Sequence, residues 1–127
     1  KDVIDTLIEP YWPGALTIIL PCKTEKVPTL VRGAGETLGV RIPNHAVART
    51  LMRELRVPIL GPSANFHGGK TPYIFGELDP EFIKMVDFVV KGECTIKQPS
   101  TVIDCSQKPW KIVRSGAATL DEKSFSH

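Results

Sequence analysis

Pro58-Ile59-Leu60-Gly61-Pro62-Ser63-Ala64-Asn65-Phe66-His67-Gly68-Gly69-Lys70-Thr71-Pro72-Tyr73 is the most informative stretch of this chain. A short apolar run, Ile59-Leu60, stops at Gly61-Pro62. Small, hydroxylated and amide residues follow, with Phe66 the bulky exception. Loops of this composition at strand ends are where α/β proteins place ligand-binding groups. Small residues let backbone N–H groups approach a ligand, and Ser63, Asn65 and Thr71 add short polar arms. A plain surface turn shares the composition. The length of this loop, and its place between an apolar strand and a helical stretch, favour a site.

Working outward, the chain alternates helices and strands. Asp2–Trp12 reads as a helix, and Pro13-Gly14 turns it into an apolar strand, Ala15–Leu20. Val27–Val31 has the content of a short strand, and Arg32–Gly35 is a loop. Thr37–Ile42 alternates, with Leu38, Val40 and Ile42 on one face and Thr37, Gly39 and Arg41 on the other. Asn44 is placed to cap a helix bearing Val47, Leu51 and Leu55 at i, i+4, i+8. Pro58–Gly61 reads as a strand, and Asp79-Pro80 opens another helix. Phe88–Val90, Thr101–Cys105 and Lys111–Val113 read as three more strands. Ser115–His127 is small and polar, the composition of a fraying tail. Interleaved strands and helices make the class α/β with a mixed sheet.

Composition narrows the function. With 127 residues, 42% hydrophobic and 24% charged, there is room for one soluble domain with one core. A net charge of +2 is too small to argue for nucleic acid or an anionic membrane. No apolar run approaches the roughly 20 residues of a membrane span. Cys22, Cys94 and Cys105 are scattered and odd in number, which fits reduced thiols in the cytoplasm better than a disulfide or zinc site. The chain opens at Lys1 inside what reads as a helix already feeding a strand, as expected of a fragment of a larger domain.

Several motifs fail on inspection. Gly69-Lys70-Thr71 resembles the end of a phosphate loop, but Ala64 stands where the first Gly belongs and Pro72 follows at once. Ser63 and His67 have no carboxylate nearby to orient the imidazole and no Gly-x-Ser-x-Gly elbow. No His, Cys and carboxylate set has metal-ligand spacing. Arg41 is harder to dismiss. It ends a strand on the polar face, beside Pro43, and Arg114 occupies the matching place after Lys111–Val113. Ser100-Thr101 opens a strand just past Pro99. Cations and hydroxyls converging on strand ends suit an anionic ligand with several oxygens.

Trp12-Pro13-Gly14-Ala15-Leu16-Thr17, Val40-Arg41-Ile42-Pro43, Pro62-Ser63-Ala64-Asn65, Pro99-Ser100-Thr101-Val102-Ile103-Asp104 and Val113-Arg114-Ser115-Gly116 stand in the order seen in YrdC-like domains. The chain resembles that family, the threonylcarbamoyl-AMP synthases of tRNA modification, over roughly residues 10–118; Ala15 replaces the family's usual second Pro. The resemblance implies a YrdC-like domain over residues 1–118, missing its N-terminal portion, with a tail at 119–127. It implies a twisted, open mixed sheet with flanking helices and a deep cavity. It also implies synthesis of threonylcarbamoyl-AMP and pyrophosphate from ATP, L-threonine and bicarbonate with Mg²⁺, the product passing to the tRNA threonylcarbamoyl-transfer machinery. By motif, Arg41, Gly61 and Ser100 correspond to threonine contacts. Thr37, Ser63, Thr71 and Arg114 correspond to ATP contacts, with Asn65 bracing the same loop. The family's Lys-x-Arg phosphate element has no counterpart here, and no side chain stands out as a general base.

Two other readings compete. A carbamoyl-adenylating module of a hydrogenase-maturation protein shares this domain inside longer, zinc-finger-bearing chains. A double-stranded RNA-binding module is the non-enzymatic reading. Arg49, Arg53, Arg56, Lys108 and Lys111 lack interleaved stacking aromatics, which leaves at most weak RNA binding.

Overall fold

A computed structural model describes residues 2–125 as two units, one formed by 2–58 with 98–125 and the other by 59–97. In the first unit a π-type helical stretch, Ile4–Ile8, runs into helix α1 (Glu9–Tyr11), as the apolar spacing predicts. It buries Thr6 and Leu7. Strand β1 (Leu16–Pro21) follows, then helix α2 (Thr29–Arg32) and strand β2 (Thr37–Val40). Helix α3 (Ala46–Leu55) closes the first segment, and strands β3 (Thr101–Asp104) and β4 (Lys111–Arg114) complete the unit.

The sheet order is β2-β1-β3-β4. β1 and β3 are parallel (Ile18 beside Ile103), whereas β2 and β4 run antiparallel to their neighbours. The mixed sheet is the one the sequence predicts. Alternation assigns the faces. Leu16, Ile18, Thr101 and Ile103 are buried, and with Leu7, Cys105, Trp110 and Phe125 they form the core on one side. Thr17, Ile19, Val102 and Asp104 point to the other side and are only half-buried.

Local expectations are corrected in several places. Val27–Val31 is not a strand: residues from Thr29 coil into α2, with Arg32 Nε donating to the Val27 carbonyl at 3.1 Å. The cap of α3 is His45, not Asn44; its Nδ1 accepts from the Ala48 N–H at 3.3 Å. α3 carries the expected apolar stripe, but Val47, Leu51 and Leu55 stay exposed. The expected fraying tail is also wrong through residue 125. Leu120 packs on the core, and the Phe125 ring, 5% exposed, stacks on Trp110 at 6.5 Å. Two aromatics far apart in sequence supply apolar contact that composition alone does not show. Residues 126 and 127 of that stretch, like Lys1, lie outside the described residues.

The second unit is mostly loop. Asp79 caps helix α4 (Pro80–Ile83), its carboxylate accepting from the Glu81 N–H at 2.8 Å. Ile74 and Glu93 form an isolated bridge, and the Phe66 ring meets Phe82 edge-on at 5.4 Å. The expected strands Pro58–Gly61 and Phe88–Val90 do not form. A strand needs a neighbour for its backbone groups, and none of the described residues pairs with either run; Leu60 is 72% and Phe88 81% exposed.

Cys105, in the core just after β3, has its thiol pKa pushed up to about 11. Burial is the main cause and the Asp104 carboxylate adds to it, while Lys108 acts in the opposite sense. An unfolded thiol ionises near pH 8.5. Between about pH 8.5 and 11 the unfolded chain therefore loses a proton that the fold retains, and stability falls as pH rises through that window. Thermal melts across it should show the decline, and Cys105→Ala should flatten it. Equal slopes in both proteins would remove Cys105 as the cause.

Candidate active site

Four strands of the first unit bring polar side chains to one end of the sheet. Because β2 and β4 run opposite to β1 and β3, the C-terminal ends of the outer strands meet the N-terminal ends of the inner ones. Arg41 follows β2, Thr17 lies near the start of β1, Ser100 precedes β3 and Arg114 ends β4. Across the sheet this reads cation, hydroxyl, hydroxyl, cation.

The backbone around the row is tightly tied. The Gly14 N–H donates to the Ile42 carbonyl at 2.8 Å, joining the Pro13-Gly14 turn to the end of β2. A side chain at Gly14 would strike the Tyr11 carbonyl, so the turn requires glycine. Arg41 is exposed, and its Nε donates to the Gly14 carbonyl at 2.8 Å. Nothing among the described residues accepts from its two terminal nitrogens, so the outer edge of the guanidinium is free for a ligand. Desolvation lowers its pKa from the usual arginine value, yet a guanidinium stays charged at any pH near neutrality.

Ser100 is 9% exposed and sits between two partners. Its Oγ lies 2.8 Å from Thr17 Oγ1 and accepts from Arg114 Nη2 at 3.1 Å. Arg114 also donates to the Ser100 carbonyl, from Nε at 3.1 Å and Nη2 at 2.9 Å. Much of its fork is thus engaged with Ser100, leaving Nη1 as its open donor. Behind them, Thr101 Oγ1 donates to the Ala118 carbonyl at 2.6 Å and accepts from the Gly116 and Ala118 N–H groups at 2.9 and 3.1 Å. This holds the loop after β4 against the start of β3. Gly116 fits there because it has no side chain; a Cβ would lie 2.6 Å from the Ser100 carbonyl.

Thr37 is elsewhere. It pairs with Pro21 at the opposite end of β2 from Arg41. There it lines an open cavity of about 350 Å³ with Cys22, Glu25, Glu36, Ser106 and Gln107. The two carboxylates make that cavity unsuited to phosphate.

In the second unit the opening loop holds its own shape. Asn65 Nδ2 donates to the Phe66 carbonyl at 2.8 Å and the Gly69 carbonyl at 3.1 Å. Its Oδ1 is buried with no hydrogen-bond partner among the described residues. Glu77 fixes the far side of the loop, accepting from the Tyr73 N–H at 2.8 Å and pairing with Lys70 at 3.8 Å. The Tyr73 hydrogen bond is the main reason its carboxyl pKa is lowered. Gly61, Ser63 and Thr71 are exposed, and neither hydroxyl is used in a hydrogen bond among the described residues.

Of the residues singled out in the sequence, the structure joins Arg41, Ser100 and Arg114 in one row, sets Thr37 apart, and carries Gly61, Ser63, Asn65 and Thr71 on the second unit. Sequence reading does not single out Thr17, and it offers Thr101 as a strand-end hydroxyl rather than as the tie to the loop after β4. Their signal is positional: each is a polar residue inside an apolar strand, where alternation gives it a defined face.

Residues 1–116 match the Sua5/YciO/YrdC family, described as telomere recombination. The threonylcarbamoyl-AMP synthase of Bacillus subtilis is 36% identical over 121 residues, covering 92% of this chain and 34% of that protein. The Pyrococcus abyssi threonylcarbamoyl-AMP synthase is 35% identical over 119 residues, covering 93% and 35%. The structure of P. abyssi Sua5 complexed with L-threonine superposes with a TM-score of 0.81 at 36% identity, covering 87% of this chain and 32% of that one. Escherichia coli YciO superposes with a TM-score of 0.69 at 30% identity, covering 98% and 60%. The chain thus spans about a third of the length of the two synthases it matches. With the family's motifs in order, its mixed sheet and its match over nearly the whole sequence, this chain belongs to the Sua5/YciO/YrdC family.

Proposed function

We propose that the protein is an L-threonylcarbamoyladenylate synthase acting in the N6-threonylcarbamoyladenosine modification of tRNA. The observation that carries the reading is the Arg41–Thr17–Ser100–Arg114 row, set in a fold that superposes on a relative solved with L-threonine. The terminal nitrogens of Arg41 match the two oxygens of an amino-acid carboxylate, and Ser100 offers the hydroxyl beside it. Arg114 Nη1 is the open donor for a phosphate oxygen. Gly61 on the second unit keeps its threonine assignment, and Ser63, Asn65 and Thr71 there, with Thr37 of the first unit, keep their ATP assignments, from the family's motifs alone. The deep cavity and the cytoplasmic location expected from the sequence belong to this proposal; among the described residues no helix is long and apolar enough to cross a membrane.

The chemistry needs positioning more than a proton-transfer group. The neutral threonine amine adds to bicarbonate, giving a carbamate and water. A carbamate oxygen attacks the α-phosphorus of ATP, and pyrophosphate leaves. Mg²⁺, which offsets phosphate charge in such transfers, finds no group of three His, Cys, Asp or Glu ligands among the described residues. It would travel on the phosphates, as this ion commonly does. The hydrogenase-maturation and RNA-binding readings gain nothing from relatives named as threonylcarbamoyl-AMP synthases.

The test is an omission series on the protein at its full encoded length. Mass spectrometry should find threonylcarbamoyl-adenylate only when ATP, threonine, bicarbonate and Mg²⁺ are all present. ATP turnover supported equally by carbamoyl phosphate without threonine would replace this reading with the maturation module.

A further inference from the structure

Thr17 belongs to the row but has been given no ligand contact, and its hydroxyl makes the only side-chain contact to Ser100 from β1 among the described residues. Ser100 Oγ has one proton to give and two lone pairs to offer. Arg114 is a donor only, so it takes one lone pair of Ser100. The 2.8 Å contact with Thr17 then uses either the Ser100 proton or its second lone pair. When Thr17 donates, the Ser100 proton is free to bond an anionic oxygen. When Ser100 donates, its second lone pair is free to accept from a ligand N–H. Thr17 is therefore the partner whose own proton decides which of the two Ser100 presents, and Thr17 and Arg114 together fix where the Ser100 oxygen sits.

Placement favours such a role. Thr17 is on an inner strand, hydrogen-bonded on both sides by β2 and β3. A side chain on a strand is held more firmly than one on a loop. Ser100 itself precedes β3 and has no ladder of its own.

We propose that Thr17 is a positioning residue of the amino-acid site, acting through Ser100 by setting the place and proton direction of its hydroxyl. This rests on the assignment of that row to L-threonine. Thr17→Val keeps the shape and removes the hydroxyl, Thr17→Ala removes it in a smaller side chain, and Thr17→Ser restores it. Thr17 is half-buried, so these variants are expected to fold.

Calorimetric titration with L-threonine should show affinity falling roughly 3- to 10-fold in Thr17→Val and Thr17→Ala, the range of one neutral hydrogen bond. Thr17→Ser should stay within about twofold of wild type. The Thr17→Val/Ser100→Ala double variant should bind no more weakly than Ser100→Ala alone, because both changes remove one pathway. Wild-type affinity in Thr17→Val, or losses that multiply in the double variant, would overturn the proposal. A folded wild type that binds no threonine would instead overturn the functional reading. The crystal structure of Thr17→Val would then decide the positioning claim. A Ser100 hydroxyl moved off Arg114 supports it, and an unmoved one refutes it.

Discussion

Arg41→Lys should lower threonine affinity by about tenfold or more, since each 1.4 kcal/mol is a factor of ten. The structure sharpens the reason. Arg41 uses Nε to hold the Gly14 carbonyl at 2.8 Å and leaves its two terminal nitrogens unengaged among the described residues. Under the proposed function, one planar group would anchor itself and grip a carboxylate at once. A lysine ammonium is a point donor without that fork, so it must give up the anchor or the paired contact. ATP affinity should change little, and folding should stay near wild type because Arg41 is exposed. Separate titrations with threonine and ATP, with a thermal melt, check all three. An unchanged threonine affinity would take Arg41 out of the site.

Thr101→Val should destabilise the fold by about 3 kcal/mol, roughly 1 kcal/mol for each of the three backbone hydrogen bonds its hydroxyl makes. The residue is 2% exposed, and valine matches its shape while leaving two N–H groups and one carbonyl without their partner. For a domain of this size that is a drop of roughly 10 °C in Tm. The same loop carries Gly116 against the Ser100 carbonyl, so the loss should reach the site as well. Thr101→Ser keeps the hydroxyl and should recover most of the stability. A valine variant that melts with wild type would show that solvent replaces the hydroxyl without cost.

The sheet was legible in the sequence because alternation and Pro or Gly punctuation are local. β1, β2, β3 and β4 lie where the apolar runs 15–20, 37–42, 101–105 and 111–113 predict. What failed depends on partners remote in sequence. Ile59-Leu60 and Phe88–Val90 have strand composition, yet no described neighbour completes a ladder with them. Val27–Val31 has strand content, yet Pro28 serves as the residue before a helix and Thr29–Arg32 coils instead. Phe125 was misread because one aromatic in a polar tail gives no sign of Trp110, fifteen residues upstream.

The site divides in the same way. Arg41 and Arg114 stand out in the sequence as cations at strand ends, and the structure sets both at the same end of the sheet. Their inward bonds could not be foreseen: Arg41 ties to Gly14, and Arg114 spends most of its fork on Ser100. Thr37 and Arg41 are four residues apart, and strand geometry carries them to opposite ends of β2. Sequence proximity alone suggests one cluster where the sheet makes two places.

A crystal structure of the full-length protein with L-threonine decides whether this row binds the amino acid. The threonine carboxylate is expected within hydrogen-bond distance of the terminal nitrogens of Arg41, with Ser100 Oγ beside it. Threonine bound away from that row, or bound there with Arg41 turned from its carboxylate, would contradict it.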